Sequence, residues 1–303
     1  MKKIKKSSIF SLALASTMLM AHYGFSQEQS APDTTKVSSS PAYYRQLTTG
    51  INRAILRDFA TSPLFYQGWG LYLQNAWVKR SDAKDRSFEI GIGLNQMTAK
   101  IPESSFIQPS ASSLFGTLHL RYLQLWKLKS ISNEKNNIKI GGAIQISQNV
   151  RQNASLQNNA LGVENISNLM ATGQITRNIS RKESRQLNLW LFKPTLKPVK
   201  RDLRFQFNAG LLNFNYRPGY AFAYDNEING AETNNIQYLL NDSYRWSLNG
   251  WRLNTELEFI TYLKNGNARS FSYVWDAAHA PGDIEAFQMF SHSLRYTLYF
   301  NLK

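Results

Sequence analysis

Residues 289–303 read Met-Phe-Ser-His-Ser-Leu-Arg-Tyr-Thr-Leu-Tyr-Phe-Asn-Leu-Lys. In steps of two, Phe290, His292, Leu294, Tyr296, Leu298, Phe300 and Leu302 fall on one face, and Ser291, Ser293, Arg295, Thr297, Tyr299 and Asn301 on the other. That period is the signature of a β-strand with one apolar and one polar side. A long aromatic strand left at a sheet edge invites mispairing. A closed barrel removes the problem, because its last strand pairs with its first.

Composition narrows the field. There is no cysteine, which excludes disulfides, thiolate catalysis and Cys-based metal centres. No run of about 18 apolar residues occurs, so no helix is expected to span a membrane. Mean hydropathy is negative, at −0.39. Barrel strands with one lipid face and one wet face average out in this way. The net charge is +15, of which Lys2, Lys3, Lys5 and Lys6 contribute four, leaving 15 − 4 = +11 beyond residue 26. Basic residues are scattered and not clustered with stacking aromatics, which argues against nucleic acid as a partner.

Residues 1–26 have the layout of a signal peptide: a lysine-rich start, a short apolar core over Ile9–Ala21, and Gly24 and Ser26 as small residues before a cleavage point at Ser26/Gln27. Residues 27–42 are rich in Ser, Thr and Pro and read as a flexible linker. Over 43–62, Leu47, Ile51, Ile55 and Phe59 recur every four residues, which predicts a short amphipathic helix across the barrel mouth or on its rim. A plug or an interfacial helix is the alternative.

From residue 63 onward the chain alternates as successive strands. Ten are expected: 68–79, 87–98, 113–128, 138–148, 168–180, 185–197, 203–216, 251–264, 269–276 and 289–303. Twelve follow if 216–224 and 236–244 are counted separately. The strand at 185–197 meets Pro194 and Pro198 and should be short or distorted. In 203–216 the apolar phase slips from Leu211 to Leu212, as a β-bulge would produce. Asn265-Gly266 is a hairpin turn. Strand parity groups 81–86, 129–136, 181–184, 225–243 and 278–288 at the outer end, and leaves 100–112 and 151–165 as unusually long inner turns. The fold class is therefore all-β, an antiparallel transmembrane barrel over 63–303 preceded by a short helix.

His119, Arg121, Arg204, Arg252, Glu256, Glu258 and Arg295 fall on the polar faces and are the candidate lumen-lining charges. Opposed charges inside a small barrel are expected to satisfy one another and fill the bore, with a selectivity lining as the alternative. Three histidines lie beyond residue 26, and none has metal-ligand spacing, so no metal and no cofactor is expected. His292 and Ser293 are adjacent and face opposite ways, unlike the Ser-His arrangement of outer-membrane phospholipases. Asp276, His279 and Asp283 are the only candidates for a protease-like constellation at the outer rim.

The terminal alternation Tyr296, Leu298, Phe300, Leu302 resembles the closing strand that serves outer-membrane barrels as an assembly signal, with Lys303 one residue past the usual apolar end. The signal-peptide style and the lysine-tailed strand look like Bacteroidota proteins. The resemblance implies export, chaperoning in the periplasm, insertion by the barrel-assembly machinery, and outer-membrane lipid as surroundings. It does not imply an activity. The expected function is non-enzymatic: structural, binding or passive permeation. The alternatives are a barrel-embedded hydrolase acting on lipid or peptide at the outer rim, and a soluble periplasmic β-protein.

Overall fold

The computed structural model describes residues 41–59, 62–99, 111–154, 156, 160–186, 195–196, 198–218, 244–281 and 286–302. The expected signal peptide, most of the linker, and Asp283 lie outside the described residues.

Among the described residues thirteen strands follow in order: β1 Ala42–Asp58, β2 Ser62–Arg80, β3 Lys84–Ala99, β4 Ala111–Lys127, β5 Asn136–Gln152, β6 Leu161–Asn178, β7 Arg185–Gln186, β8 Thr195–Leu196, β9 Arg201–Pro218, β10 Tyr244–Ser247, β11 Trp251–Tyr262, β12 Ala268–Ala280 and β13 Phe287–Asn301. Ten of them close a ring, β1 to β6, then β9, β11, β12 and β13, and β13 pairs with β1 from Tyr44–Asn301 to Asp58–Phe287. Every neighbouring pair is antiparallel. The expected closed barrel is the architecture found.

The count of ten is right for compensating reasons. The segment expected as a helix is strand β1. Leu47, Ile51 and Ile55 are four apart, and four is a multiple of the strand period as well as close to the helical one. In the barrel they share the outer face with Arg45, Arg53 and Arg57, while Tyr44, Gln46, Thr48, Asn52, Ala54, Leu56 and Asp58 point inward. Conversely, the described parts of 185–197, Arg185–Gln186 and Thr195–Leu196, are not in the wall, where β6 pairs directly with β9. They form the short β7–β8 pair, which continues from the β6–β9 ladder through Ile179–Arg201 and the Arg181–Val199 bridge. Pro194 and Pro198 lack the N–H that a wall strand must donate.

Adding β1 also regroups the connections. Those after β1, β3, β5, β9 and β12 lie at one end, so the two supposedly long inner turns share an end with the β9–β10 connection. Those after β2, β4, β6 and β11 lie at the other, together with the start of β1 and the end of β13, and we call it the terminal end. The β11–β12 turn closes with Gly266 at φ +85°, a conformation that glycine adopts without strain. The expected bulge is present: Leu169 pairs with Leu212 and Met170 with Gly210, leaving Leu211 as the extra residue. Beyond it β9 pairs with β10. Asn213 and Asn215 donate to Gly250 O and Asn249 O, bridging the break between β10 and β11.

Leucine, isoleucine and aromatic side chains dominate the outer face, among them Leu71, Leu73, Ile92, Leu94, Ile140, Ile144 and Leu294. Such a belt is what a barrel wall facing lipid is expected to carry. Outward aromatics at the terminal end include Tyr43, Trp77, Phe88, Tyr122 and Trp126, and Trp251 stands at the other. Tyr262, near the terminal end of β11, points inward and donates its hydroxyl to Asp202 at 2.9 Å.

Candidate functional site: the barrel interior

All eight acidic residues of the barrel strands point inward: Asp58, Asp85, Glu89, Glu164, Asp202, Glu256, Glu258 and Asp276. Eight bases join them: Arg80, Arg121, Lys139, Arg151, Arg204, Arg217, Arg252 and Arg295. Among the described side chains of the strands the interior thus balances at 8 − 8 = 0, with Lys127 at the rim held by Asp82 of the adjoining turn at 2.8 Å. Buried ions are tolerated only when paired, and this balance is how the sequence meets that condition.

The charges form three tiers along the bore. At the terminal end, Lys139 pairs with Asp85 at 2.6 Å, and Gln174 donates to the other Asp85 oxygen at 3.1 Å. Close by, Arg204 reaches Glu258 at 2.5 Å and Glu256 at 3.8 Å. Glu258 also accepts from Ser270 at 2.5 Å and from the Tyr299 hydroxyl.

In the middle tier Arg252 is fully buried and forks onto Asp276, Nε to Oδ1 at 3.0 Å and Nη2 to Oδ2 at 2.6 Å. Its Nη1 crosses the bore to Ser147 Oγ at 2.8 Å, and Ser147 Oγ lies 3.0 Å from His119 Nδ1. Arg121 meets Glu89 at 3.4 Å. The Arg295 guanidinium carbon lies over the Tyr72 ring, 3.9 Å from its centre, a cation–π contact. Room for that ring comes from β3: a Cβ on Gly91 would sit 2.5 Å from the Tyr72 hydroxyl.

The third tier, at the end away from the termini, escaped the sequence reading. Asp58 of β1 takes Arg151 of β5 at 3.1 Å and Arg217 of β9 at 2.9 Å. Glu164 of β6 lies 3.7 Å from Arg151. Arg217 donates to Ala280 O at 2.6 Å. The four side chains are at most 2% exposed. Beside them lies an apolar cluster that includes Leu56, Tyr66, Met97, Phe115, Ile166, Phe287 and Met289. Asp58 lies in the segment expected as a helix, and Arg151 and Glu164 lie in 151–165, expected as a long inner turn. The inward alternation of Ser147, Asn149, Arg151 and Asn153 was the available signal.

All seven expected lumen charges therefore face the interior. The structure brings Arg204, Glu256 and Glu258 into one group, places Arg121 on Glu89, joins His119 to Arg252 through Ser147, and gives Arg295 an aromatic partner. Between the tiers remains a cavity with a water-accessible volume of about 80 Å³, enough for a few waters. Tyr296, Leu298 and Phe300 share the outer face of β13, and Leu302 lies just past its end, donating its N–H to Tyr43 O at 2.8 Å. Asp276 and His279 face opposite sides of β12: His279 stacks on Trp251 outside while Asp276 holds Arg252 inside. They form no constellation. Ser147, beside His119, is fully buried and already engaged by Arg252, so no substrate carbonyl can approach it.

No family model matches the chain, and no curated protein matches it. Solved structures that it is similar to include the translocator domain of the autotransporter NalP from Neisseria meningitidis, at 8% identity and TM-score 0.37, covering 96% of this chain and 98% of that one. The transport unit of the autotransporter AIDA-I from Escherichia coli follows at 9% identity and TM-score 0.40, covering 96% and 97%. An outer membrane channel from Pseudomonas putida F1 stands at 8% identity and TM-score 0.30, covering 90% and 100%.

Proposed function

We propose that this chain is a non-enzymatic outer-membrane barrel whose bore is closed, serving as a structural or binding element of the membrane and not as a route for solutes. The observation that carries the reading is the ion cluster of Asp58, Arg151 and Arg217, which ties β1 to β5 and β9 across the interior. Three wall strands separate β1 from β5 by one path and β1 from β9 by the other. An apolar cluster lies beside it, the charges of the two tiers below offset each other, and the cavity between them, about 80 Å³, has room for a few waters. Export through the segment 1–26, cleavage at Ser26/Gln27, periplasmic chaperones and recognition of the last strand by the barrel-assembly machinery belong to the same proposal.

Two measurements test it. On gels run with and without boiling, the folded protein should resist SDS and shift on heating; a protein that does not shift and fractionates with the soluble periplasm overturns the membrane reading. In planar bilayers the folded protein should show no steady conductance steps, and stable open-channel steps would overturn the closed bore.

A further inference from the structure

Among the described residues of the barrel strands, the outer face carries bases and no acid. Every carboxylate of the barrel strands is turned inward, so none is available there to neutralise a cation. The outward bases gather at the terminal end. Arg45, Lys79, Lys84, Arg86, Arg177, Arg201 and Arg269 come from six strands, and each lies within four residues of its strand's end on that side. The opposite end has Arg53 and Arg57, both on β1 and both over rings, Trp69 and Phe65.

Within this collar, Lys79 of β2 and Arg86 of β3 are directly paired across the ladder. Like charges facing each other on one side of a sheet destabilise it, and beside hydrocarbon the cost rises. The surroundings are built for an amphiphile. Lys79 lies over the Tyr43 ring at 4.8 Å, Arg45 over Trp77 at 5.8 Å, and Trp77 stacks on Phe88 at 5.9 Å. Aromatic rings at this depth accommodate glycerol and upper acyl carbons, and the bases above them face the headgroup layer.

We infer that the Lys79–Arg86 pair is the centre of a binding site for the phosphate of an anionic glycerophospholipid, seated on the Tyr43–Trp77–Phe88 surface. A phosphodiester between two facing cations turns a repulsion into two charge-assisted contacts. The collar then places the terminal end in the phospholipid leaflet that faces the periplasm. This inference rests on the membrane reading above.

The test uses the full chain, folded in neutral detergent or in vesicles, with tryptophan quenching by brominated phosphatidylglycerol against brominated phosphatidylcholine. Wild type should prefer the anionic lipid by about threefold or more at low salt, and lose the preference at high salt. K79Q/R86Q should lose most of the preference, while R53Q/R57Q keeps it. In neutral detergent without lipid, K79Q/R86Q should unfold at a higher temperature than wild type, because a repulsion has been removed. Added phosphatidylglycerol should then raise the wild-type midpoint more than the variant's. Equal quenching by both lipids, or the same stabilisation of wild type and variant, overturns the site. So does an equal effect from inorganic phosphate, which would assign the pair to a small anion. Quenching by neither lipid is a different result: it overturns the membrane reading itself.

Discussion

Asp58 Oδ1 and Arg217 Nη2 lie 2.9 Å apart although their strands, β1 and β9, stand on opposite sides of the barrel. The Asp58 carboxylate also holds Arg151 through its other oxygen. Asp58→Ala leaves two guanidinium groups crowded in a buried space and should cost about 3–5 kcal/mol. The heat-modifiability midpoint in detergent reads this directly. Adding Arg151→Ala to Asp58→Ala should cost far less than the sum of the two single changes, because each removes the same contact. Strict additivity would show that the pair does not act as a unit.

Arg252 and Asp276 offer the complementary experiment. Removing one ion from a buried forked pair is costly, whereas replacing both with apolar groups of similar volume is often neutral. Arg252→Met alone should therefore destabilise by about 3–5 kcal/mol, and Arg252→Met with Asp276→Leu should recover most of it. Urea unfolding in detergent, followed by tryptophan fluorescence, checks both. A double variant no better than the single one would mean that Arg252 is held mainly by Ser147 and Asn168.

Gly91 is a packing prediction. Its hydrogen leaves room for the Tyr72 hydroxyl, so Gly91→Ala should cost about 1–3 kcal/mol through overpacking. Tyr72→Phe removes the nearest clashing atom and should restore part of that loss in the double variant. If Gly91→Ala is neutral on its own, Tyr72 has another position to move to, and Arg295 loses its fixed aromatic partner.

Phe300 separates assembly from stability. It is exposed on the outer face of β13, opposite Arg45. Phe300→Ala should lower the amount of barrel inserted in cells several-fold. The protein refolded into detergent should lose no more than about 2 kcal/mol, the value of one large apolar side chain. Quantifying the heat-modifiable band from membranes and from refolded material distinguishes the two. Equal losses in both would remove the closing strand's role as a signal.

The fold was legible where one period alone explains the residues. Ile138 to Ile146 and Phe290 to Leu302 leave no choice but a strand, and the Leu211–Leu212 slip located the bulge. It was ambiguous where spacing served two periods, as with Leu47, Ile51 and Ile55. There the discriminating residues lay between them: Tyr44, Gln46, Thr48 and Asn52 make sense as a lumen face and have no role on a helix. The interior charges were legible on clean strands. Others were missed. Asp58, Arg151, Glu164 and Arg217 lie near strand ends where turn-like composition masks the alternation, and Arg80, Asp85, Lys139 and Asp202 are also near ends. Glu89 stood on a clean strand unlisted, and Asp276 was expected at the outer rim. Which charges would meet across the bore was beyond reach, since partners such as Asp58 and Arg217 are separated by most of the chain.

The β1–β13 ladder has a consequence for how the molecule comes into being. Its partners, such as Tyr44 and Asn301, are the first and last of the wall, so ring closure must await delivery of the final strand. Contacts at such separation form slowly, because the whole intervening chain must be ordered first. Until then both edges of the sheet are open, and the acids and bases that will neutralise one another have no shared interior in which to meet. Closure and charge burial are thus one event, and maturation should be a single late, cooperative step with no stable half-barrel before it.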